Sequence, residues 1–365
     1  MTAIPHINAI GTANPPHEVH GAFVGFVAKM LDDPKARRLF ERMVGRAGIE
    51  RRYSFLRPVT LADGTITDSD GFYGTGDWPT TGARMARYEA DAPRLAQQAI
   101  EGIGQALAPA SITHLVVASC TGFMAPGLDQ RIVQALGLSP GVERSLLGFM
   151  GCYAAVNALR TAYHIVRSTP AARVLVVTLE LCTLHFQRTT DLERLLAMLL
   201  FGDGAAAAIV SADPQGIALD DFRATTIAGS ADAIRWTIRD QGFDMHLGGE
   251  VPARIAEALR LETGRNDAEG LLRGDPPELF DLWAIHAGGR TVLDAVQQGL
   301  DLPPDALVHS RAVLQDHGNM SSATLMFVLA RMMRARTRGD GERRGMAMAF
   351  GPGLAAETFR FRLAA

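Results

Sequence analysis

Ser145-Leu-Leu-Gly-Phe-Met-Gly-Cys152-Tyr-Ala-Ala-Val-Asn-Ala-Leu-Arg160 is the stretch on which the reading of this chain turns. An apolar run meets Gly151 and then Cys152, and Ala155, Leu159, Ala162, Tyr163 and Val166 follow at helix spacing. The pattern places Cys152 at the first turn of a buried helix. Backbone N–H groups there lack partners, and the helix dipole favours an anion. Thiolate is the nucleophilic form of cysteine, and a helix N-terminus lowers its pKa. Gly151 permits the sharp bend that aims the sulfur into a cavity. A lone cysteine is equally well a small buried hydrophobe, so the choice rests on what the rest of the chain supplies.

Outward from this stretch, apolar strands alternate with helical patterns. Residues 113–122 and 173–182 read as buried strands, and residues 130–136 as a helix between them. Residues 201–210 form a turn feeding a third strand. The rhythm returns after residue 220: a strand over 282–289 ending at His286, helices over 291–299 and 321–336, and strands over 346–350 and 358–362. This alternation predicts an α/β layered fold, and the similar order of the two parts suggests a pseudo-duplicated core. Before residue 113, a strand over 7–11 precedes helices over 21–46, with Phe23, Phe26, Val27 and Met30 on one face. Arg42 and Arg46 share a helix face. Residues 59–82 read as a long surface loop docked by Trp78, and residues 91–107 as an amphipathic helix.

Bulk composition narrows the class. The chain has 365 residues, 47% hydrophobic and 21% charged, which describes an ordinary globular protein. A net charge of -3 gives no nucleic-acid footprint. No apolar run reaches the roughly 20 residues needed to span a bilayer. The first residues lack a secretory pattern. Three cysteines, Cys120, Cys152 and Cys182, are too few for a disulfide framework and fit a reducing cytoplasm. His17 and His20 have no Cys or Asp pattern nearby, so no metal site is expected. Gly202 and Gly204 lie in a turn-to-strand context, which is not a dinucleotide fingerprint.

Three residues stand where α/β folds present chemistry: Cys152 at a helix start, His286 at a strand end, and Asn319 in Gly318-Asn-Met-Ser-Ser322 before a helix. Cys with distant His and Asn is the general pattern of an activated thiol, in which the His keeps the sulfur ionised. Taken singly, His286 is equally a core histidine and Asn319 a helix cap. The local strings shift the balance. Gly151-Cys152-Tyr-Ala-Ala, Phe201-Gly-Asp-Gly-Ala-Ala-Ala, His286-Ala-Gly-Gly, Gly318-Asn-Met-Ser-Ser-Ala323 and Phe350-Gly-Pro-Gly-Leu354 occur in that order. Together they resemble the type III polyketide synthases, the chalcone synthase-like family, from Arg42 to the end of the chain.

That resemblance implies a thiolase fold: two pseudo-duplicated five-layered αβαβα halves, here divided as 1–220 and 221–365 and paired as a homodimer. It implies acyl-CoA and malonyl-CoA as substrates, with no metal and no cofactor. Cys152 matches the nucleophile that takes the starter acyl group. His286 and Asn319 match the residues that donate hydrogen bonds to the thioester oxygen as malonyl-CoA decarboxylates. Phe201 matches a gatekeeper, Arg42 and Arg46 match two of three CoA-phosphate positions, and Gly351-Pro352-Gly353 matches the loop shaping the cyclisation cavity.

Departures bear on product. Leu39 stands at the third basic position, Ala287 where proline is common, and Ala349 at the first loop glycine. Met245 replaces a second gatekeeper phenylalanine and Trp236 a cavity glycine. Cys120, Cys182 and His185 replace threonines. These argue against a flavonoid pocket and resemble bacterial members. The expected product is an alkylresorcinol or alkylpyrone grown from a fatty acyl-CoA starter. The alternatives are tetrahydroxynaphthalene made from malonyl-CoA alone, or a single-condensation 3-ketoacyl synthase.

Overall fold

The computed structural model describes residues 3–74, 76–336 and 341–363. Strand β1 (His6–Ala13) is followed by β2 (His17–Glu18), α1 (His20–Met30) and α2 (Pro34–Ala47). Short strands β3 (Tyr53–Ser54), β4 (Pro58–Thr60) and β5 (Ile66–Asp68) lead into helix α3 (Thr81–Glu101). Next come β6 (His114–Ser119), α4 (Leu128–Leu136), β7 (Glu143–Gly148), α5 (Ala154–Ser168), β8 (Val174–Leu181), α6 (Leu192–Leu200) and β9 (Asp203–Ser211). The remainder holds β10 (Ile217–Thr226), β11 (Ile234–Arg239), β12 (Gly242–Leu247), α7 (Val251–Thr263) and β13 (Leu282–Ile285). It ends with α8 (Arg290–Gly299), α9 (Val308–His317), α10 (Ser322–Ala335), β14 (Arg343–Gly351) and β15 (Ala355–Leu363).

One continuous sheet has the order β13-β14-β15-β10-β1-β9-β8-β6-β7. Its seam is the antiparallel pair of β1 and β10. Outward from the seam the two sides repeat each other. On one side β9 and β8 add antiparallel and β6 adds parallel. On the other, β15 and β14 add antiparallel and β13 adds parallel. The first side carries one more parallel strand, β7.

Alternation along the strands divides the core into three. Val116, Val176, Ala206 and Ala347 face a central apolar mass shared by α5 and α10. Leu115, Val117, Leu175 and Ala207 face α3 and α4, and Trp283, Ile285, Met346 and Met348 face α7 and α8. Five layers, αβαβα, are thus built jointly by the two halves. Both faces of β6, β8, β9 and β13 are covered, which is why these strands read as unbroken apolar runs rather than as alternating ones.

Two local expectations are corrected. Residues 59–82 are not wholly loop: β4 and β5 form a hairpin that packs on α1, and Trp78 is buried against Tyr73 and Phe186. The helix expected over 91–107 runs over Thr81–Glu101. The Thr80 hydroxyl accepts from the Ala83 N–H at 3.2 Å and sets its start. Its buried side chains include Arg84 and Asp91, which hide the apolar period, and Pro93 sits inside it. No helix of the described residues is long and apolar enough to cross a membrane.

Candidate active site

Cys152 lies two residues before α5, in the turn that delivers the chain into the central layer. Gly151 adopts φ +79°, and a Cβ there would approach Pro352 Cδ at 2.5 Å, so only glycine makes this bend. The expected helix effect on the thiol is outweighed. Burial pushes the Cys152 thiol up to about 11, while hydrogen bonds from Ser321 and Asn319 pull it the other way. The Ser321 hydroxyl donates to the sulfur at 3.7 Å.

Asn319 is buried three residues before α10. Its Nδ2 donates to the Gly288 carbonyl at 3.1 Å, and its Oδ1 accepts from the Ser321 N–H at 2.8 Å. Its backbone is locked to the end of α6. The Asn319 N–H donates to Leu200 O at 2.8 Å, the Gly202 N–H donates to Asn319 O at 3.0 Å, and Phe201 and Asn319 form an isolated parallel bridge.

His286 follows β13, and its N–H donates to Met348 O at 2.8 Å. Among the described residues neither ring nitrogen has a hydrogen-bond partner. Burial lowers its pKa to about 3, so at neutral pH the ring is uncharged and carries one N–H donor and one acceptor. Burial thus works against charge on both groups, and no hydrogen bond joins the imidazole to the sulfur. The imidazole borders Gly288, where a Cβ would stand 3.6 Å from its Cδ2. Gly288 thus links the His286 and Asn319 positions.

A cavity partly open to solvent reaches the sulfur. Cys120, Cys152, Cys182, His185, Phe201, Trp236, Met245 and Pro352 all border it. Trp236 and Met245 face each other across the β11–β12 hairpin, and the Trp236 indole N–H donates to Cys120 O at 2.8 Å. His185 is held for packing: Nδ1 accepts from the Phe243 N–H at 3.0 Å, so Nε2 donates to Thr121 O at 2.7 Å. Its ring stacks on Phe243 at 4.2 Å, and burial lowers its pKa to about 3. Gly351 and Gly353 flank Pro352 against the Cys152 turn, with Gly353 at φ +73°. The far wall is apolar, with Phe23 and Phe26 of α1 opposite Pro58 and Ile66 of the β4–β5 hairpin.

Arg42 and Arg46 are brought elsewhere, to the exposed side of α2 beyond the cavity lining. Leu39 beside them is 36% exposed. The Arg46 carbonyl accepts from Arg290 at the start of α8 at 3.5 Å. No cluster of metal-ligating side chains occurs among the described residues. His20 is instead the acceptor for Arg52 Nε at 3.0 Å.

The polar network around Glu180 escaped the sequence reading. Glu180, fully buried on β8, accepts from the Cys120 N–H at 3.0 Å, Thr121 Oγ1 at 2.8 Å and Ser322 Oγ at 2.5 Å. Cys120 Sγ donates to it at 3.3 Å and lies 3.4 Å from Ser321 Oγ. Burial raises the Glu180 pKa against these bonds. A hydroxyl and a thiol therefore connect the Cys152 sulfur to a buried carboxyl group. The available signal was a single acid inside an apolar strand, which must have buried partners.

Two family models cover nearly all of the chain. That for the N-terminal domain of chalcone and stilbene synthases matches residues 3–214, and that for their C-terminal domain matches residues 220–364. A bisdemethoxycurcumin synthase from Oryza sativa subsp. japonica is 36% identical over 96% of this chain and 90% of its own length. The crystal structure of PKS-I from the brown alga Ectocarpus siliculosus superposes with a TM-score of 0.86 at 29% identity, covering 100% of this chain and 99% of that one. The C-terminal type III polyketide synthase domain of Steely1 from Dictyostelium superposes with a TM-score of 0.87 at 24% identity, covering 99% and 100%. At that identity the likeness speaks for the fold alone.

Proposed function

We infer a decarboxylative condensation at Cys152 from one premise: this chain belongs to the chalcone and stilbene synthase family, the type III polyketide synthases. The family's members are acyltransferases that take acyl-CoA and malonyl-CoA and need no cofactor beyond these thioesters. In our reading the Cys152 sulfur attacks the starter thioester and CoA leaves as a thiol. Neutral His286 takes the sulfur's proton as the S–C bond forms. Malonyl-CoA then loses carbon dioxide, and the electrons of the broken C–C bond form an enolate. N–H groups of His286 and Asn319 hold the enolate oxygen in a dry site, where such donors are most effective. The enolate carbon attacks the Cys152 thioester; a C–C bond forms, the C–S bond breaks, and the chain leaves on CoA one unit longer. Return of that chain to Cys152 starts the next round.

The observation that carries the substrate assignment is the cavity itself. Its lining by Phe23, Phe26, Pro58 and Ile66 suits an alkyl tail. We therefore assign a fatty acyl-CoA starter and an alkylresorcinol or alkylpyrone product. Trp236 and Met245 narrow the ring-forming space, Phe201 gates it, and Gly351-Pro352-Gly353 shapes its floor. Cys120, Cys182 and His185 complete its wall. Arg42 and Arg46 hold the CoA phosphates, with no charge from Leu39. The division into halves 1–220 and 221–365 follows the repeat of strand order on either side of the β1–β10 seam, with the cut falling inside β10. A homodimer is supported by the edge strand β7, where Leu146 is 47% exposed beside Phe123 at 44%, a surface that calls for cover. A cytoplasmic setting suits three free buried cysteines.

The test is incubation of the purified enzyme with malonyl-CoA and acyl-CoAs of graded length, followed by mass analysis of products. Incorporation of a long acyl starter into a cyclised tri- or tetraketide is expected. A product built from malonyl units alone would replace this assignment with tetrahydroxynaphthalene synthesis. Arrest after one extension would replace it with a 3-ketoacyl synthase.

A further inference from the structure

Arg52 is 2% exposed, borders the cavity, and takes no part in the reaction as drawn above. Burial lowers its pKa to about 10, so it stays charged at neutral pH. Its bonded partners are neutral, and the carboxyl groups of Glu18 and Asp203 act on it only through space. Nε donates to His20 Nδ1 at 3.0 Å, and Nη1 donates to Met198 O at 3.0 Å and to Phe201 O at 2.6 Å. The guanidinium carbon also sits 4.6 Å from the centre of the Phe23 ring. Burying a cation without a bonded carboxylate is expensive, and a greasy side chain would fill the same volume without that cost. What the guanidinium supplies is one nitrogen, Nη1, that ties two carbonyls at the end of α6 while the Nε bond to His20 holds it in aim.

The stem of Arg52 is as closely fitted as its head. A Cβ at Gly202 would stand 3.3 Å from Arg52 Cβ, and one at Gly318 would stand 2.8 Å from Cγ and 3.0 Å from Cδ. Gly202 follows Phe201 and Gly318 precedes Asn319, and Phe201 and Asn319 are the two residues of the isolated bridge. Arg52 therefore touches both strands of that bridge from one side and bonds the carbonyl of one of its members.

We propose that Arg52 is a positioning residue: by clamping the Met198 and Phe201 carbonyls against the Gly202–Gly318 slot it fixes the bridge that holds the Asn319 carboxamide beside Cys152. The proposal rests on the reading of Asn319 as an enolate donor. Displacement of such a donor by about 1 Å costs on the order of a hundredfold in rate. The step it governs is decarboxylation; loading of the starter depends on the sulfur and is largely spared.

The test uses the full chain with Arg52→Lys and Arg52→Met. A lysine keeps the charge, but its flexible ammonium has no second nitrogen bonded to His20 to hold it against the two carbonyls. Thermal melting reports folding, intact mass reports starter loading on Cys152, and carbon dioxide release from malonyl-CoA reports kcat and KM separately. Both variants should lose about ten- to a hundredfold in kcat for decarboxylation, with loading and KM within about threefold of the parent. Arg52→Lys should not rescue Arg52→Met. A folded variant that decarboxylates at the parental kcat overturns the proposal. Losses in loading and decarboxylation that merely track the unfolded fraction, or failure of Arg52→Lys to fold, overturn it in favour of a purely structural role. Asn319→Ala tests the underlying reading separately: unchanged decarboxylation in that variant would remove Asn319 as a donor, whatever Arg52 does.

Discussion

The two halves each send a buried helix into the shared central layer, and the chain enters both in the same way. At α5 a glycine with φ +79°, Gly151, immediately precedes Cys152; at α10 a glycine with φ +68°, Gly318, immediately precedes Asn319. Neither helix has a side-chain cap at its N-terminus. The difference lies in how each turn is tied down. The first is held mainly by packing, with Gly151 against Pro352 and Tyr153 reaching the Pro352 carbonyl at 3.4 Å. The second is held by polar bonds on every side: to Leu200, Gly202, Gly288 and Ser321. A nucleophile needs access and some freedom as its bonds form and break. A hydrogen-bond donor for a developing charge must not move. On the reading proposed above, the two equivalent positions divide the labour through their surroundings.

The sharpest way to break this comparison is to empty the first turn. Cys152→Ala should abolish product formation, since no acyl-enzyme can form, while a melting curve shows an intact fold. Malonyl-CoA decarboxylation should persist, because the second turn is untouched. Loss of decarboxylation together with condensation would mean that the two turns are not separable in function.

Next in size is damage to the second turn and its neighbour. Asn319→Ala and, separately, His286→Ala should each lower kcat for malonyl-CoA decarboxylation by about 10²–10³-fold, the usual effect of removing one such donor. Acyl loading on Cys152, read by intact mass, should fall less in Asn319→Ala than in His286→Ala, because only His286 is asked to take the thiol proton. Equal effects on both steps would undo that assignment of roles.

What could be read from the chain alone follows the same contrast. Strands β6, β8, β9 and β13 are legible because both of their faces are apolar, and the glycine-led turns because glycine leaves a mark on its own. Features that depend on distant partners were not. Helix α3 was begun ten residues late because Arg84 and Asp91 are buried on its core side, where a reader expects apolar residues. The β4–β5 hairpin is too short to show a period and is fixed instead by α1, where a Cβ on Gly25 would stand 2.9 Å from Ile66 Cδ1. The pull of burial against charge on Cys152 and His286 is not legible in the chain, because helix position points the other way and burial is set by distant elements. Arg52 and Glu180 were passed over as ordinary charges, since nothing in their local sequence announces that they are buried.

A smaller effect is expected at the cavity wall. Trp236→Gly removes the indole and its bond to the Cys120 carbonyl without touching either turn. Product yield should stay within about tenfold of the parent, while the distribution of chain lengths or ring types shifts in the mass profile. An unchanged distribution would show that Trp236 does not set the product.

The finest probe asks whether the second turn tunes the first. The Ser321 hydroxyl donates to the Cys152 sulfur at 3.7 Å and is the strongest influence favouring its ionised form. A thiol raised by burial is raised further when a donor to its anion is removed. Ser321→Ala should therefore move the pH midpoint for alkylation of Cys152 by iodoacetamide upward and slow the reaction at any fixed pH below that midpoint. Asn319→Ala should do the same to a lesser degree. Glu180→Gln should act in the opposite direction, since Glu180 disfavours a second negative charge nearby. Peptide mapping confines the readout to Cys152, which matters because Cys120 shares the Ser321 hydroxyl. A midpoint that does not move in Ser321→Ala would mean that the turn before α10 contributes a donor to the substrate but exerts no control over the sulfur it faces.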